Sequence, residues 1–553
     1  MKKTLASLAV VSSLFAAPAA AQTILDVHLA HRAILRLDVD EARRALESAP
    51  IDDPVVAREK ALLAVYEGDC DGAVALLARS PSATREALGG LDEVARGCAR
   101  VTAATTVIHD EARGVEIRLK DERDRAIVPF LLEVLELALA AIERDLAVKL
   151  PRPVRIEVVP DHFSLAAITG LPEEAAQTTG TVAVAKWGRV TMLSPRAAPH
   201  GYPWADTLMH ELVHLSVTRA TRDRAPLWLQ EGTAKREETR WRSPWAWDDV
   251  PTPDAVARAG FDKGLALPLD KLGPSIAMLP TAQQAMIAFS EVHGFLRYFL
   301  AQSGDPALPR LLSAIADDLS DDPASAALAK TTGTPLTGWS ERWQKHLAEV
   351  PPATELFLPA RDAKTTRELM KKARLAELLG ERDHHAEALG YAERAAELAP
   401  HDASTRAHLA ATLRALGRSA DADKALGALA DVKSARGSWL ALRGAALREK
   451  GDVAAPEAFR WARWLSPFDL EVACESLADG PATPSEAALC AAARDWRRRL
   501  CPRRHIASSR DLRWDVDPLG SGSLPFVLAR PTERCVGAGT PPFRHPWFAS
   551  TSE

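Results

Sequence analysis

The segment His210-Glu211-Leu212-Val213-His214, followed by Trp228-Leu229-Gln230-Glu231-Gly232-Thr233-Ala234, constrains this chain more tightly than any other part of it. Two histidines four residues apart share one face of a helix, so both imidazoles can reach the same metal ion. Residues 204–219 carry the pattern of one amphipathic helix, with Leu208, Leu212 and Leu215 as its predicted buried stripe. Pro203 stands where a helix start tolerates a missing N–H, and Asp206 falls in the first turn, where the helix dipole favours an acid. Thr221-Arg222-Asp223-Arg224 and Pro226 mark a short loop, and a second helix from about Leu227 to Arg240 carries Glu231. Helices joined by so short a loop pack antiparallel. The fold must then bring Glu231 on the second helix to face His210 and His214 on the first.

Two imidazoles and a carboxylate make the donor set of a catalytic zinc, which takes three protein ligands and keeps one position open. His210, His214 and Glu231 are the predicted ligands of one Zn2+ ion. Glu211, next to the first histidine, is the predicted general base: it takes the proton of an attacking water and passes it to the leaving amine. A purely structural zinc site has no need of such a base.

The same residues carry a family resemblance. His210-Glu211-x-x-His214 with Trp228-Leu229-x-Glu231-Gly232-x-Ala234 resembles the gluzincins, metallopeptidases of the MA clan. It is most similar to the bacterial peptidase MA-like proteins, many of which carry tetratricopeptide repeats. The resemblance spans about residues 104–350 and is strongest in the two helices. It implies zinc ligation by His210, His214 and Glu231 with Glu211 as base. It also implies a small α/β part before the metal helix, a helical part after it, and peptide bound as an added strand at a sheet edge upstream of that helix. The chain departs from the family's pattern twice. Such proteins often have a tyrosine in a segment like Ala-Tyr-x-x-Ser, where this chain reads Ala288-Phe289-Ser290-Glu291-Val292-His293. Phe289 has no hydrogen bond to donate. His293, one turn on, can offer a donor to the oxyanion; the alternative is a half-buried histidine satisfied within the fold. Lys235, one turn after Glu231, replaces the acidic or small residue common there and is expected to point away from the metal.

Length predicts about three or four domains in 553 residues. With 47% hydrophobic and 26% charged residues the composition is that of a globular protein, and a formal charge of −5 with no basic excess argues against nucleic acid as a partner. Residues 1–21 read as a secretory signal peptide: Lys2 and Lys3, an apolar run from Leu5 to Ala17, then Ala19-Ala20-Ala21 as the cleavage site. The run is too short for a membrane anchor, and no later segment is suited to span a bilayer. The mature chain is expected to be exported, to the periplasm in a Gram-negative source or otherwise secreted. In that setting six cysteines predict disulfides, and pairing neighbours in sequence gives Cys70–Cys98, Cys474–Cys490 and Cys501–Cys535. None lies between residues 99 and 473, so the metal-binding part has no thiol ligand.

Around this centre the pattern changes several times. Residues 22–103 are helical, with stripes such as Ala61, Leu62, Val65 and Tyr66 separated by Gly and Pro turns, and read as irregular tetratricopeptide-type hairpins. Thr105–His109, Val115–Leu119 and Val154–Val159 alternate like strands, with a long helix over 124–148 between the second and third. Thr181–Ala185 and Arg189–Leu193 flank Lys186-Trp187-Gly188 as a hairpin, the predicted edge for a bound peptide. Residues 255–350 are helical, with Phe295, Leu296, Tyr298, Phe299, Leu300, Trp339 and Trp343 as their apolar cluster. Over 365–480, Leu379-Gly380, Leu416-Gly417 and Lys450-Gly451 recur with a period near the ~34 residues of tetratricopeptide repeats. Residues 481–553 turn to Pro, Arg and Gly.

The predicted fold is mostly helical: an α+β zincin-like metallopeptidase domain (104–350) flanked by all-α tetratricopeptide-like repeats (22–103 and 365–480). The expected function is an exported zinc metallopeptidase acting on a peptide or protein substrate, with repeats that recruit a protein partner. The alternative is a non-catalytic repeat scaffold that retains a zinc site. A periplasmic quality-control protease asks for a glutamate with a nearby Ala-Asp after His214, which this chain lacks.

Overall fold

Alternating segments in the middle of the sequence build one five-stranded sheet, and most of the other described residues are helical. The computed structural model describes residues 19–79, 90–197, 201–243, 251–353, 362–399, 403–427, 437–468, 470–475, 486–492 and 494. Most of the predicted leader, the Cys501–Cys535 pair and the tail from residue 495 lie outside the described residues.

Among the described residues five helices come first: α1 (Ala19–Leu35), α2 (Val39–Leu46), α3 (Pro54–Glu67), α4 (Cys70–Ala78) and α5 (Leu91–Thr102). Their turns are written locally. Asp53 caps α3 by accepting from the Val55 amide, and Asp69 caps α4 through the Gly72 amide. Cys70 and Cys98 form a disulfide with Cα atoms 5.6 Å apart, tying α4 to α5.

The sheet holds β1 (Thr106–Asp110), β2 (Val115–Leu119), β3 (Val154–Val159), β4 (Ala183–Lys186) and β5 (Arg189–Leu193), in the order β1-β2-β3-β5-β4. β2, β3 and β5 run parallel; β1 and β4 are antiparallel edges. α6 (Val128–Leu146) connects β2 to β3, and α7 (His162–Thr169) and α8 (Glu173–Thr179) connect β3 to β4. The helix expected over 124–148 begins as a 3-10 turn over Glu122–Ile127, and the α-helix starts at Val128, where Pro129 needs no amide partner.

Period-two alternation gives the sheet two different faces. Ile117, Ile156, Val158, Val190 and Met192 are buried on one face, in the core that α6 and the metal helix complete. The other face is polar. There Glu157 pairs with Arg189 at 3.5 Å and Arg118 at 3.8 Å, and the buried Arg189 reaches the Val65 carbonyl of α3 at 2.9 Å. The N-terminal helices therefore dock through charge as well as apolar contact.

After the sheet come α9 (Trp204–Thr221) and α10 (Leu227–Glu237), then α11 (Pro253–Asp262), α12 (Ala282–Ser303), α13 (Ala307–Asp317), α14 (Pro323–Thr332) and α15 (Leu336–Leu347). Phe295, Phe299, Trp339 and Trp343 pack edge to face within this group, as the apolar cluster in the sequence suggests. Helical hairpins follow: α16 (Ala363–Gly380) with α17 (His385–Leu398), α18 (Ala403–Ala415) with α19 (Ser419–Gly427), and α20 (Gly437–Glu449) with α21 (Ala455–Leu465), then the short α22 (Leu470–Glu475). Gly417 and Gly451 turn two of them with φ near 72°, which explains why glycine recurs there. Cys474 and Cys490 form a second disulfide, Cα atoms 5.0 Å apart. Among the described residues no helix is long and apolar enough to cross a membrane.

Candidate metal centre

α9 is the scaffold of the site. Leu208 and Leu212 are fully buried and Leu215 nearly so, as their spacing predicts. That stripe fixes the rotation of the helix and turns His210 and His214 toward α10. Asp206 has more to do than balance a dipole: it accepts from Trp241 Nε1 at 2.9 Å and from Arg242 Nε and Nη2 at 2.8 and 2.7 Å. Arg222 and Asp223, both left-handed at φ 55° and 59°, reverse the chain into α10.

α10 is pinned just as closely. Trp228 is buried with its ring edge-on to Phe295 at 5.3 Å. A Cβ at position 232 would lie 2.8 Å from the Val292 carbonyl oxygen, so α12 passes too close for any residue but glycine. Gly232 thereby sets the depth of its neighbour Glu231.

The outcome is a compact triangle of donor atoms. His210 Nε2 and His214 Nε2 are 3.1 Å apart, and each is 3.5 Å from Glu231 Oε2. A tetrahedral zinc with ligands at about 2.0–2.1 Å has donor–donor edges of about 3.3 Å. Glu231 Oε2 is buried and has no hydrogen-bond partner among the described residues, an arrangement that is costly unless a cation completes it. The three side chains are 13–17% exposed, so the site is recessed yet reachable. These residues fit the metal predicted for them.

A second layer holds the imidazoles. His210 Nδ1 is 3.3 Å from Glu238 Oε2, and His214 Nδ1 is 3.2 Å from Gln230 Oε1. Gln230 is itself oriented by donating to Thr218 Oγ1 at 3.3 Å. Lys235 was expected to turn away from the metal. Its Nζ lies in the outer layer, donating to both oxygens of Glu238 at 2.7 Å. Neither Glu238 nor Gln230 stands out in the sequence. Glu238 is two turns beyond Glu231 and so on the same helix face, a signal that helical spacing offers.

Electrostatics at the centre follow from burial and proximity. Burial alone lowers the pKa of His210, but the facing Glu231 carboxylate and the hydrogen bond to Glu238 outweigh it and push the group up to about 9. His214 is raised for the same reason, with the Glu231 charge overcoming desolvation. Burial would raise the carboxyl of Glu231, yet the facing imidazoles hold it far below the usual range. With no metal bound the triangle gathers protons, which an incoming cation must displace.

Glu211 is buried at 7% exposure, and burial raises its pKa against the pull of the two imidazoles. Its Oε2 accepts from the Ala185 amide of β4 at 2.6 Å. β4 is a sheet edge, and the Val182 carbonyl accepts from Leu193 on the β5 side. Backbone groups alternate along a strand, so those of residues 183 and 185 point outward, toward the centre. The Phe289 ring sits 6.5 Å from that of His210, and Lys235 Nζ lies 5.7 Å from the same phenyl. His293 is buried on α12, one turn beyond Phe289. His384, in the repeat hairpin, is exposed and far from any such cluster in the sequence.

No protein-family model matches this chain, and no curated protein matches it.

Proposed function

We propose that the chain is a zinc-dependent peptidase of the gluzincin type, with a zincin-like domain over 104–350 and tetratricopeptide-like hairpins on either side. The observation that carries this reading is the donor triangle of 3.1, 3.5 and 3.5 Å beside a buried carboxylate that is not part of it. A zinc ion held by His210, His214 and Glu231 supplies Lewis-acid polarisation of a carbonyl and a water acidified to about neutral pKa. The chain's own residues do the rest. Glu238 and Gln230 hold Nδ1 of the two histidines, so each presents Nε2 inward. Glu211 is held by the Ala185 amide with its carboxylate beside the triangle. Burial makes it a stronger base than a solvated glutamate, suited to take a proton and return it to a leaving amine.

β4 suits a substrate strand. The Ala183 amide and carbonyl and the Ala185 carbonyl lie on its outward edge, while the Ala185 amide is engaged with Glu211. A peptide added there gains main-chain hydrogen bonds and lies across Glu211. His293 is proposed as the donor to the oxyanion in place of the tyrosine that Phe289 replaces. The flanking hairpins are proposed to recruit a protein substrate or partner, and the disulfides fit an exported protein.

The test is cleavage of an unfolded protein substrate by the full chain. Activity should vanish with a zinc chelator and return with one equivalent of zinc. Cleavage that persists in a fully stripped protein contradicts the reading.

A further inference from the structure

Away from the metal centre, a cavity of about 180 Å³ opens where the N-terminal helices meet the loop leading into β3. Leu37 and Arg43 line it on one side, and Arg152, Pro153 and Arg155 on the other. Arg155 is the unusual member. It lies on the polar face of β3, in register with Glu116 of β2 and Arg189 of β5.

Every carboxylate nearby is committed elsewhere. Glu116 pairs with Arg118 at 3.5 Å and His109 at 3.8 Å. Arg43 holds both Glu67 and Asp40, at 2.5 and 2.7 Å. Asp38 caps α2 by accepting from the Glu41 amide. Arg152 is occupied too, donating to the Arg113 carbonyl at 2.7 Å. Arg155 alone has no hydrogen bond or ion pair among the described residues, and its Nε is buried without a partner. A guanidinium does not shed its proton to escape burial, so the half-buried Arg155 keeps its charge at the cavity wall with no direct hydrogen-bond or ion-pair partner among the described residues. Burial acts against that charge most and Arg189 adds to it, while the charges of Glu116 and Glu67 act in its favour without pairing directly with the guanidinium.

We propose that this cavity binds a small oxyanion of the phosphate or carboxylate class, held by the Arg155 guanidinium with Arg43 and Arg152 at its rim. The planar fork of a guanidinium matches two oxygens of either group. A ligand seated there touches both the N-terminal helices and the sheet, and so fastens one to the other. The proposal stands independently of the metal centre.

Thermal unfolding of the full chain tests it, with inorganic phosphate and succinate each compared against chloride at equal ionic strength. A ligand that binds only the folded chain raises Tm with a saturating dependence on its concentration. The expected result is a rise of a few degrees with one or both anions, and which of them acts separates phosphate from carboxylate. Arg155→Gln should abolish the rise. No rise beyond chloride, or the same rise in Arg155→Gln, overturns the proposal. Should Arg155→Gln fail to fold, crystals of the unsubstituted chain soaked in selenate or bromoacetate decide by anomalous scattering. A peak against Arg155 supports the site; no peak for either anion overturns it.

Discussion

The proposed function gives three glutamates on two helices different roles, and substitution separates them. Glu231 completes the triangle, so Glu231→Ala should lose most bound zinc, read by metal analysis after dialysis. Unchanged metal content would show the third ligand to be misassigned. Glu238 acts through His210, and Glu238→Ala should weaken zinc by about 10- to 100-fold in a chelator competition. That change also leaves Lys235 without its partner beside the ligands. A buried acid outside the centre, Glu291, lies on α12. Its Oε2 accepts from the Leu267 amide at 3.2 Å, and burial pushes its pKa from 4.5 to about 8. Below pH 4.5 the group is neutral in both states and costs nothing. Between 4.5 and about 8 only the unfolded chain ionises, so stability falls as pH rises through that window. Glu291→Gln should therefore raise Tm at pH 8 and leave it nearly unchanged at pH 4.5; equal shifts at both would contradict the assignment. His210, Glu211 and His214 were legible because a four-residue spacing has one helical meaning, and Glu231 because a second helix must face the first. Glu238 was not, since no short motif reaches two turns on. The Ala185 amide was not, since a backbone donor leaves no letter in the sequence.

At the scale of elements, α10 depends on how closely α12 can approach. Gly232→Ala places a Cβ 2.8 Å from the Val292 carbonyl, and either helix must shift. We expect a loss of about 1–3 kcal/mol in chemical denaturation, together with weaker zinc binding because Glu231 moves. Wild-type stability in this variant would show that α12 yields freely. The strands were readable from alternation to within two residues, as with β4 at Ala183–Lys186 against the expected 181–185. Their order was not readable. β5 enters between β3 and β4, and only the fold shows that the hairpin places β4 at the edge beside Glu211.

The whole molecule is joined at surfaces that local pattern does not reveal. Trp464 of α21 stacks on Trp204 at the start of the metal helix, with ring centres 5.5 Å apart, and Trp241 lies 5.3 Å from Trp464. Arg242, which holds Asp206, also sits 4.7 Å over Trp461. These residues are hundreds of positions apart in places, so neither periodicity nor spacing links them. Two of the repeat hairpins were visible because glycine recurs in their turns, at Gly417 and Gly451; Gly380 instead ends α16, and the left-handed residue of that turn is Asp383. Trp464→Ala should cost about 2 kcal/mol or more and release the C-terminal hairpins to limited proteolysis before the rest unfolds. Simultaneous digestion of the whole chain at the same rate as the unsubstituted protein would show that this contact does not hold them.

In the proposed reaction Glu211 moves a proton for a metal held by His210, His214 and Glu231. The most direct measurement is mass-spectrometric readout of a diverse peptide library incubated with the zinc-loaded chain, with Glu211→Gln in parallel at matched zinc content. Cuts made by the unsubstituted chain should fall by at least about 10²-fold in Glu211→Gln. Equal cutting by both proteins, or none by either, would contradict it.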